Sequence, residues 1–379
     1  MTAVSSKAMQ SIDNAKPPWA LPDEPFEASK GDWRTKAKHD VDEIVYGHPF
    51  RKLAQKTQVV TQPPDETFRT RKSHTLEVAQ IADNFSDQLQ LNKDATRAIA
   101  YGHDLGHAPI AHIGEVTLKR LLQDYVKKTV HAVVGKRAGE DKIFKAFEFT
   151  HPTNSRRILL RKTKKVTKTT LLSVVGHSWS PWKDINTCTS LLKVERQLEK
   201  PLEKAVRQFL PCYEAQAVAL SDQIAGLNSD IEDLITINGG KTETLRECTR
   251  ETLDNLSVPH HEKVWNILDT WVPKDGTSTA TAKRGWGRKQ RFHTIVSSIV
   301  KASEPLVTKC SSSDRAFESP LRPAPEVAVA LNVLERATRR EVYTHPLIRI
   351  RDALPCKKHL WSTSTADLKM KNPANTLTS

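Results

Sequence analysis

The chain has 379 residues, with 58 Lys and Arg against 44 Asp and Glu, which gives a formal net charge of +14. This surplus indicates an anionic partner, although composition alone does not separate a nucleic acid from a small polyphosphate. No stretch approaches the roughly 20 apolar residues that cross a bilayer, and the N-terminus lacks the apolar region of a signal peptide. The sequence therefore predicts a cytoplasmic protein with no membrane partner.

The five cysteines are widely spaced, and none forms a Cys-x-x-Cys pair: Cys188, Cys212, Cys248, Cys310 and Cys356. This spacing is typical of reduced intracellular thiols and argues against a disulfide framework or a zinc–thiolate site.

Taken in chain order, the pattern becomes helical after a leader of about 30 residues that is rich in Pro, Ser and charge. From His74 to Leu89 apolar residues recur at helical spacing, which predicts a helix with one buried face. Asn92 is the predicted N-cap of the next helix, and residues 213–235 form another helical segment. Strand-like alternation is scarce, so we predict an all-α fold behind a flexible N-terminal leader.

Two basic segments stand out. Residues 155–168 suit a helix end that continues into a surface turn, whereas residues 274–291 suggest a loop or lid. Basic residues in 155–168 and 283–291 also raise the alternative of nucleic-acid binding, against the simpler interpretation of a solvated surface.

The string YGHDLGHAPIAHIGE, residues 101–115, is the most informative part of the chain. Histidine and carboxylate side chains together suit a divalent metal ion such as Mn, Mg, Fe or Zn. Neighbouring residues on a helix project about 100° apart, so His103 and Asp104 can reach one ion only near a helix end. Gly106 and Pro109 mark that end.

Two further ligands are expected elsewhere in the chain. His74 and Asp222 each interrupt the apolar face of a predicted helix, where an unpartnered imidazole or carboxylate would be costly. Hydrogen-bonded core side chains are the alternative, but one shared metal explains all four residues.

Five blocks of the sequence, in order between residues 34 and 235, resemble the HD-domain superfamily and, within it, the dGTPase-like deoxynucleoside triphosphate (dNTP) triphosphohydrolases. The blocks are RTKAKHDVDEIVYGHPFRKLAQKTQVV, FRTRKSHTLEVAQIA, YGHDLGHAPIAHIGE, FTHPTNSRRI and ALSDQIAGLNSDIEDLI. The resemblance implies an HD-domain helical core with additional helices. We expect a leader at 1–30, one HD-type domain at 31–356 (core about 48–235, helical C-terminal elaboration 236–356) and a polar tail at 357–379.

The resemblance also implies a role for each matching residue. The implied metal ligands are His74, His103, Asp104 and Asp222. The implied catalytic histidine is His112, with Glu115 as the carboxylate that orients and charges it. The implied substrate-binding residues are Arg71 for the triphosphate, His107 and His151 for the phosphate channel, and Gln58 and Asp230 for the deoxyribose 3′-hydroxyl. Lys56 is a further phosphate-binding candidate, with a solvated surface position as the alternative.

The reaction that the resemblance implies is hydrolysis of a dNTP at its α-phosphorus to a deoxynucleoside and tripolyphosphate. It also implies a homo-oligomer, tetrameric or hexameric, and a regulatory site for single-stranded DNA or a dNTP effector.

Departures from the family pattern concern the sugar pocket. Gly226 stands where relatives usually carry Tyr, and Gln223, Ser229 and Pro152 also differ. We therefore expect the enzyme to accept several dNTPs or an atypical nucleotide. The alternative functions are another HD phosphohydrolase, such as a deoxynucleotide 5′-nucleotidase or a phosphodiesterase, and a nucleic-acid-binding protein with a regulatory HD domain.

Overall fold

A computed structural model describes residues 17–18, 20–26, 32–58, 69–109, 111–134, 149–162, 166–177, 212–238, 241–256, 258, 260–272, 280–313, 316 and 320–344. These ranges contain twelve α-helices and no strand, which confirms the all-α prediction. The helices are α1 (Lys36–Val45), α2 (His48–Lys52), α3 (Arg71–Leu89), α4 (Lys93–Gly102), α5 (Ala111–Val134), α6 (His151–Lys162), α7 (Lys168–Gly176), α8 (Tyr213–Ile237), α9 (Glu243–Asp254), α10 (His261–Trp271), α11 (Ala280–Val307) and α12 (Pro325–Thr344). A 3₁₀ turn, Leu53–Gln55, follows α2.

Helices α3, α4 and α8 form the centre of the molecule, and each packs against the other two. The face of α3 predicted to be apolar is buried, including Val78, Ala82 and Phe85. Asn92 caps α4 as predicted, because its side chain accepts the backbone N–H of Ala95. Local periodicity thus places the central helices, and their shared interface carries the candidate site.

Part of the predicted leader is held to this core. The Leu21 N–H donates to Glu214 Oε1 at 2.9 Å, and the Asn92 side chain donates to the Leu21 carbonyl at 3.0 Å. Ala20 is buried. Residues 21–23 are therefore hydrogen-bonded to α8 and to the N-cap of α4.

The C-terminal helices cover the other side of α8. Helix α12 packs against α8, α9 and α10, while α11 packs against α3, α8 and α10. The prediction of a loop or lid over 274–291 is wrong for residues 280–291, which belong to α11. Residues 273–279 lie outside the described residues.

The two basic segments differ in exposure. Arg156, Arg157 and Arg161 lie on the exposed side of α6, whereas Arg291 of the second segment is buried. The Arg291 guanidinium donates to Asn228 Oδ1 at 2.7 Å and to the Trp271 carbonyl at 2.5 Å. This arginine therefore serves internal packing and adds no charge to a basic surface. The side chains of 283–288 lie outside the described residues.

Two smaller predictions can be compared with the described part of the chain. The thiols of Cys212, Cys248 and Cys310 form no disulfide there, as expected for reduced cysteines. Among the helices described, none combines the length and apolar character needed to span a membrane.

Candidate active site

The turn after α4 places the His103–Asp104 pair at a helix end, as predicted. His103 is the C-cap residue of α4, and the chain then turns through Gly106. A Cβ atom added to Gly106 would lie 2.2 Å from the backbone nitrogen of Ser155, so only glycine fits here. The Gly106 N–H donates to Ser155 Oγ at 2.8 Å, and that hydroxyl donates to the His103 carbonyl at 2.6 Å. Helix α6 thus fixes the shape of this turn.

The four predicted metal ligands meet at the interface of α3, α4 and α8, and we call them the metal cluster. His74 Nε2 lies 2.9 Å from Asp222 Oδ1. His103 Nε2 lies 3.4 Å from Asp104 Oδ1 and 3.6 Å from Asp222 Oδ1. The ligand atoms of His74, His103 and Asp104 all lie within 4.8 Å of one another. The sequence therefore identified side chains from three helices that share one small volume.

Exposure shows from which side the metal cluster is reached. The side chains of His103 and His74 are 0% and 1% exposed, and that of Asp104 is 3% exposed, whereas Asp222 is 18% exposed. The cluster therefore opens toward solvent along the Asp222 side of α8.

The electrostatics of the metal cluster are dominated by its two carboxylates. Burial would raise the pKa of Asp104, but the charges of His103 and Arg71 outweigh it and hold that pKa well below its usual range. Burial would lower the pKa of His103, yet the carboxylates of Asp104 and Asp222 raise it to about 9. The cluster therefore attracts positive charge.

These residues fit a divalent cation. His103 Nδ1 lies 2.7 Å from the Ala100 carbonyl, which can only accept, so the proton resides on Nδ1. In the deprotonated ring that metal ligation requires, His103 Nε2 would hold a lone pair directed into the cluster. This nitrogen has no hydrogen-bond partner among the described residues. A neutral imidazole whose second nitrogen is held by a carbonyl is the usual form of a metal-ligating histidine. The imidazoles of His74 and His103 together with two carboxylates suit Mn, Mg, Fe or Zn, although the donor set does not select one of them.

Arg71 lies next to the metal cluster, one helical turn before His74. Its Nη1 donates to Asp104 Oδ2 at 2.8 Å and its Nη2 to the Gln58 carbonyl at 3.3 Å. The residue is buried, and its Nε has no hydrogen-bond partner among the described residues. Arg71 is thus held with its guanidinium at the site, as a phosphate-binding arginine would be.

Lys56 is not a solvated surface residue. Its ammonium group donates to the His107 carbonyl at 2.5 Å and lies 3.4 Å from the Leu105 carbonyl. Burial lowers the pKa of this lysine. Lys56 therefore ties down the loop that carries His107, a structural role that the sequence did not suggest.

A second group of side chains adjoins the metal cluster, and we call it the imidazole cluster: His107, His151, His177 and Glu115. The rings of His107 and His151 stack with centroids 3.9 Å apart. Glu115 accepts the backbone N–H of His151 at 2.9 Å, and its Oε2 lies 3.0 Å from His151 Nδ1. Asp104, His107 and His151 also offer ligand atoms within 4.8 Å of one another. The two clusters therefore adjoin at Asp104.

His177 is a member of this cluster that the sequence analysis missed. It follows α7 directly, and its Nε2 lies 3.0 Å from His151 Nε2. Its ring centroid lies 4.9 Å from that of His103. Burial and the neighbouring histidines lower the pKa of His177 to about 4. The only signal in the sequence was a histidine at the end of the apolar stretch LLSVVGH, which does not distinguish a site residue from a core residue.

The candidates for sugar recognition lie nearby. Gln58 is buried, and its Oε1 has no hydrogen-bond partner among the described residues, so it could accept a ligand hydroxyl. Burial and the charge of Asp233 raise the pKa of Asp230 to about 7. Gly226 lies on α8 midway between Asp222 and Asp230, and a Cβ atom added there would meet nothing within 4 Å. The role of each in sugar binding stays a prediction.

His112, the predicted catalytic histidine, belongs to α5, but its side chain lies outside the described residues. Glu115, its predicted partner, follows one turn later on the same helix and orients His151 in the described structure.

Comparison with known proteins agrees with this donor set. Residues 71–178 match the family model of the HD domain. The matched range contains three of the four residues of the metal cluster and all of the imidazole cluster. The recognition of an HD domain in the sequence is confirmed.

The more particular resemblance is also confirmed. A deoxyguanosinetriphosphate triphosphohydrolase-like protein of Clostridium tetani is 31% identical over 256 residues, which cover 61% of this chain and 60% of that protein. A protein of the same name from Bordetella pertussis is 31% identical over 254 residues, covering 65% of this chain and 57% of that protein. One from Caldanaerobacter subterraneus is 50% identical over 97 residues, covering 26% of this chain and 29% of that protein. The chain thus spans at most about 60% of the length of these relatives.

Proposed function

We propose that the protein hydrolyses dNTPs to a deoxynucleoside and tripolyphosphate with the help of a divalent cation. The observation that carries the proposal is the convergence of His74, His103, Asp104 and Asp222 beside a buried arginine. The names of the relatives supply the substrate class. The geometry and the names of the relatives are both needed, because related metal centres in HD domains act on other phosphate esters.

In this mechanism water attacks the α-phosphorus, a new P–O bond forms, and the bond to the sugar 5′-oxygen breaks. A divalent cation, when bound by the metal cluster, supplies Lewis-acid chemistry for this step. Arg71 holds phosphate oxygens, since its planar guanidinium presents donors in a fork that lysine lacks. His107 and His151 line the path of the remaining phosphates.

The leaving 5′-oxygen needs a proton, and we assign the donor to His112. A histidine near a carboxylate can exchange a proton close to neutral pH. Glu115 supplies that carboxylate from the next turn of α5. Because Glu115 also binds His151, it connects the proton donor with the phosphate channel.

The open space beside Gly226 favours a tolerant sugar and base pocket. Gly226 lies one helical turn beyond the proposed metal ligand Asp222 on α8, a rise of about 6 Å. Because Gly226 has no side chain to close this space, we expect turnover of several dNTPs. Strict use of dGTP in a panel of all dNTPs and rNTPs would contradict this part of the proposal.

The decisive experiment measures metal-dependent hydrolysis of each dNTP, with chromatographic identification of the products. Deoxynucleoside and tripolyphosphate are expected, and both should be absent from the variant that combines His103→Ala with Asp104→Ala. Persistent activity in that variant would refute the proposed centre. Orthophosphate released from a deoxynucleoside monophosphate would instead identify a 5′-nucleotidase, and cleavage of a phosphodiester would identify a phosphodiesterase.

A further inference from the structure

His177 is a buried histidine that contacts residues of the site. Its side chain is buried, with 1% of the residue exposed, whereas His151 keeps 15% of its side chain exposed. The two rings meet through their Nε2 atoms at 3.0 Å, and the His177 ring also lies edge-on to that of His103. Any effect of His177 on substrate must therefore pass through these neighbours, and its hydrogen bond is made with His151.

The direction of this hydrogen bond follows from the other end of the His177 ring. His177 Nδ1 lies 2.8 Å from the Val174 carbonyl oxygen, which can only accept, so Nδ1 carries the proton. In the neutral ring Nε2 then holds a lone pair, which accepts a hydrogen bond when His151 Nε2 carries a proton in addition to the one that the Glu115 carboxylate binds at Nδ1. The last turn of α7 thus fixes the tautomer of His177 and presents its Nε2 as an acceptor to the His151 ring.

The opposite side of His151 is held equally firmly. Glu115 accepts its backbone N–H and lies 3.0 Å from its Nδ1, while His107 stacks on one face of the ring. With His177 at Nε2, both nitrogens and one face of the ring are fixed.

We propose that His177 is a positioning residue for the phosphate channel: as the hydrogen-bond acceptor at His151 Nε2, it sets the orientation of the His151 ring. Without this acceptor the ring can rotate away from the position it holds beside Asp104 and His107. The inference rests on the proposed function, because the channel has a task only if a polyphosphate binds there.

The test compares two substitutions in the full-length chain with metal bound. His177→Phe keeps a buried ring but has no acceptor, and His177→Gln restores an acceptor at the end of the side chain. We expect kcat/KM for dNTP hydrolysis to fall about 10- to 100-fold in His177→Phe, the range typical for partners that orient site residues, and to recover largely in His177→Gln. Equal losses in both variants, or no loss in His177→Phe, would overturn the proposal.

A matched control is His39→Phe. His39 is also a buried histidine, but it lies on α1 and stacks on Phe26, with centroids 3.6 Å apart. Its substitution should lower the melting temperature without changing kcat/KM, which separates loss of packing from loss of positioning.

A second measurement needs neither a variant nor activity. Nitrogen-15 NMR of the histidine rings in the unmodified protein should show His177 protonated at Nδ1 and unprotonated at Nε2. The reverse tautomer would overturn the proposal even if both variants unfold. If the tautomer is as expected but no nucleotide is hydrolysed, the proposed function fails and the hydrogen-bond arrangement stands.

Discussion

The metal cluster and the imidazole cluster adjoin at Asp104 yet have opposite electrostatic character. In the metal cluster two carboxylates raise the pKa of His103 to about 9, so the region favours positive charge. In the imidazole cluster burial holds the pKa of His107 well below its usual value and that of His177 near 4. The difference teaches that one pocket can favour a cation on one side and keep uncharged imidazoles on the other.

The largest expected effect tests the cation-binding side. Asp222→Asn keeps the size of the side chain but removes a negative charge, so we expect metal content to fall and dNTP hydrolysis to drop at least about 100-fold, beyond the range seen for partners of ligands. Elemental analysis and product chromatography measure the two effects. Asp83→Asn is the control, because Asp83 pairs with Arg97 at 2.7 Å outside the site. Full metal content in Asp222→Asn would remove Asp222 from the ligand set.

Glu115→Gln tests the other side and should separate the two clusters. An amide has one acceptor oxygen and cannot serve both the backbone N–H and Nδ1 of His151 as the two carboxylate oxygens do, so we expect kcat to fall about 10- to 100-fold. Metal content should not change, since the residue that Glu115 holds, His151, is not among the four metal ligands. A parallel loss of metal would show that the two clusters act as one unit.

Arg71→Lys tests the role of the arginine that donates to both Asp104 and the Gln58 carbonyl. Lysine keeps the positive charge beside Asp104 but loses the second arm, which reaches the Gln58 carbonyl. We expect KM to rise about 10-fold, with a smaller change in kcat, because the loss of a charge-assisted hydrogen bond affects binding first. Arg97→Lys, at the Asp83 ion pair, is the matched control. An unchanged KM would show that Arg71 holds Asp104 in place but does not bind substrate.

The sequence could predict those features that depend on local signals. Periodicity placed α3 and α8, the Asn92 cap placed α4, and a His–Asp pair before Gly106 indicated a helix end. His177 escaped because its partner His151 lies on another helix, and only the packing of α6 against α7 brings them together. Arg291 was misassigned to a basic surface for a related reason: a run of charges does not show which of its members faces the interior.

The smallest expected effect concerns exposed basic residues that belong to neither cluster. Arg156, Arg157 and Arg161 lie exposed on α6, which begins at His151, and single-stranded DNA is a partner implied by the family resemblance. Each phosphate contact on a single strand contributes about 0.7 to the slope of log affinity against log salt. Replacing all three arginines with Gln should therefore lower that slope by about 2 in a fluorescence-anisotropy titration, while dNTP hydrolysis is unchanged.

An unchanged slope would show that these arginines do not touch DNA. Arg291 already belongs to the interior, so the exposed charge available for a nucleic acid is smaller than the net charge of +14 suggests. If α6 does not bind DNA either, its exposed arginines are a solvated surface. The titration thus tests, for α6, the nucleic-acid partner that composition alone left open.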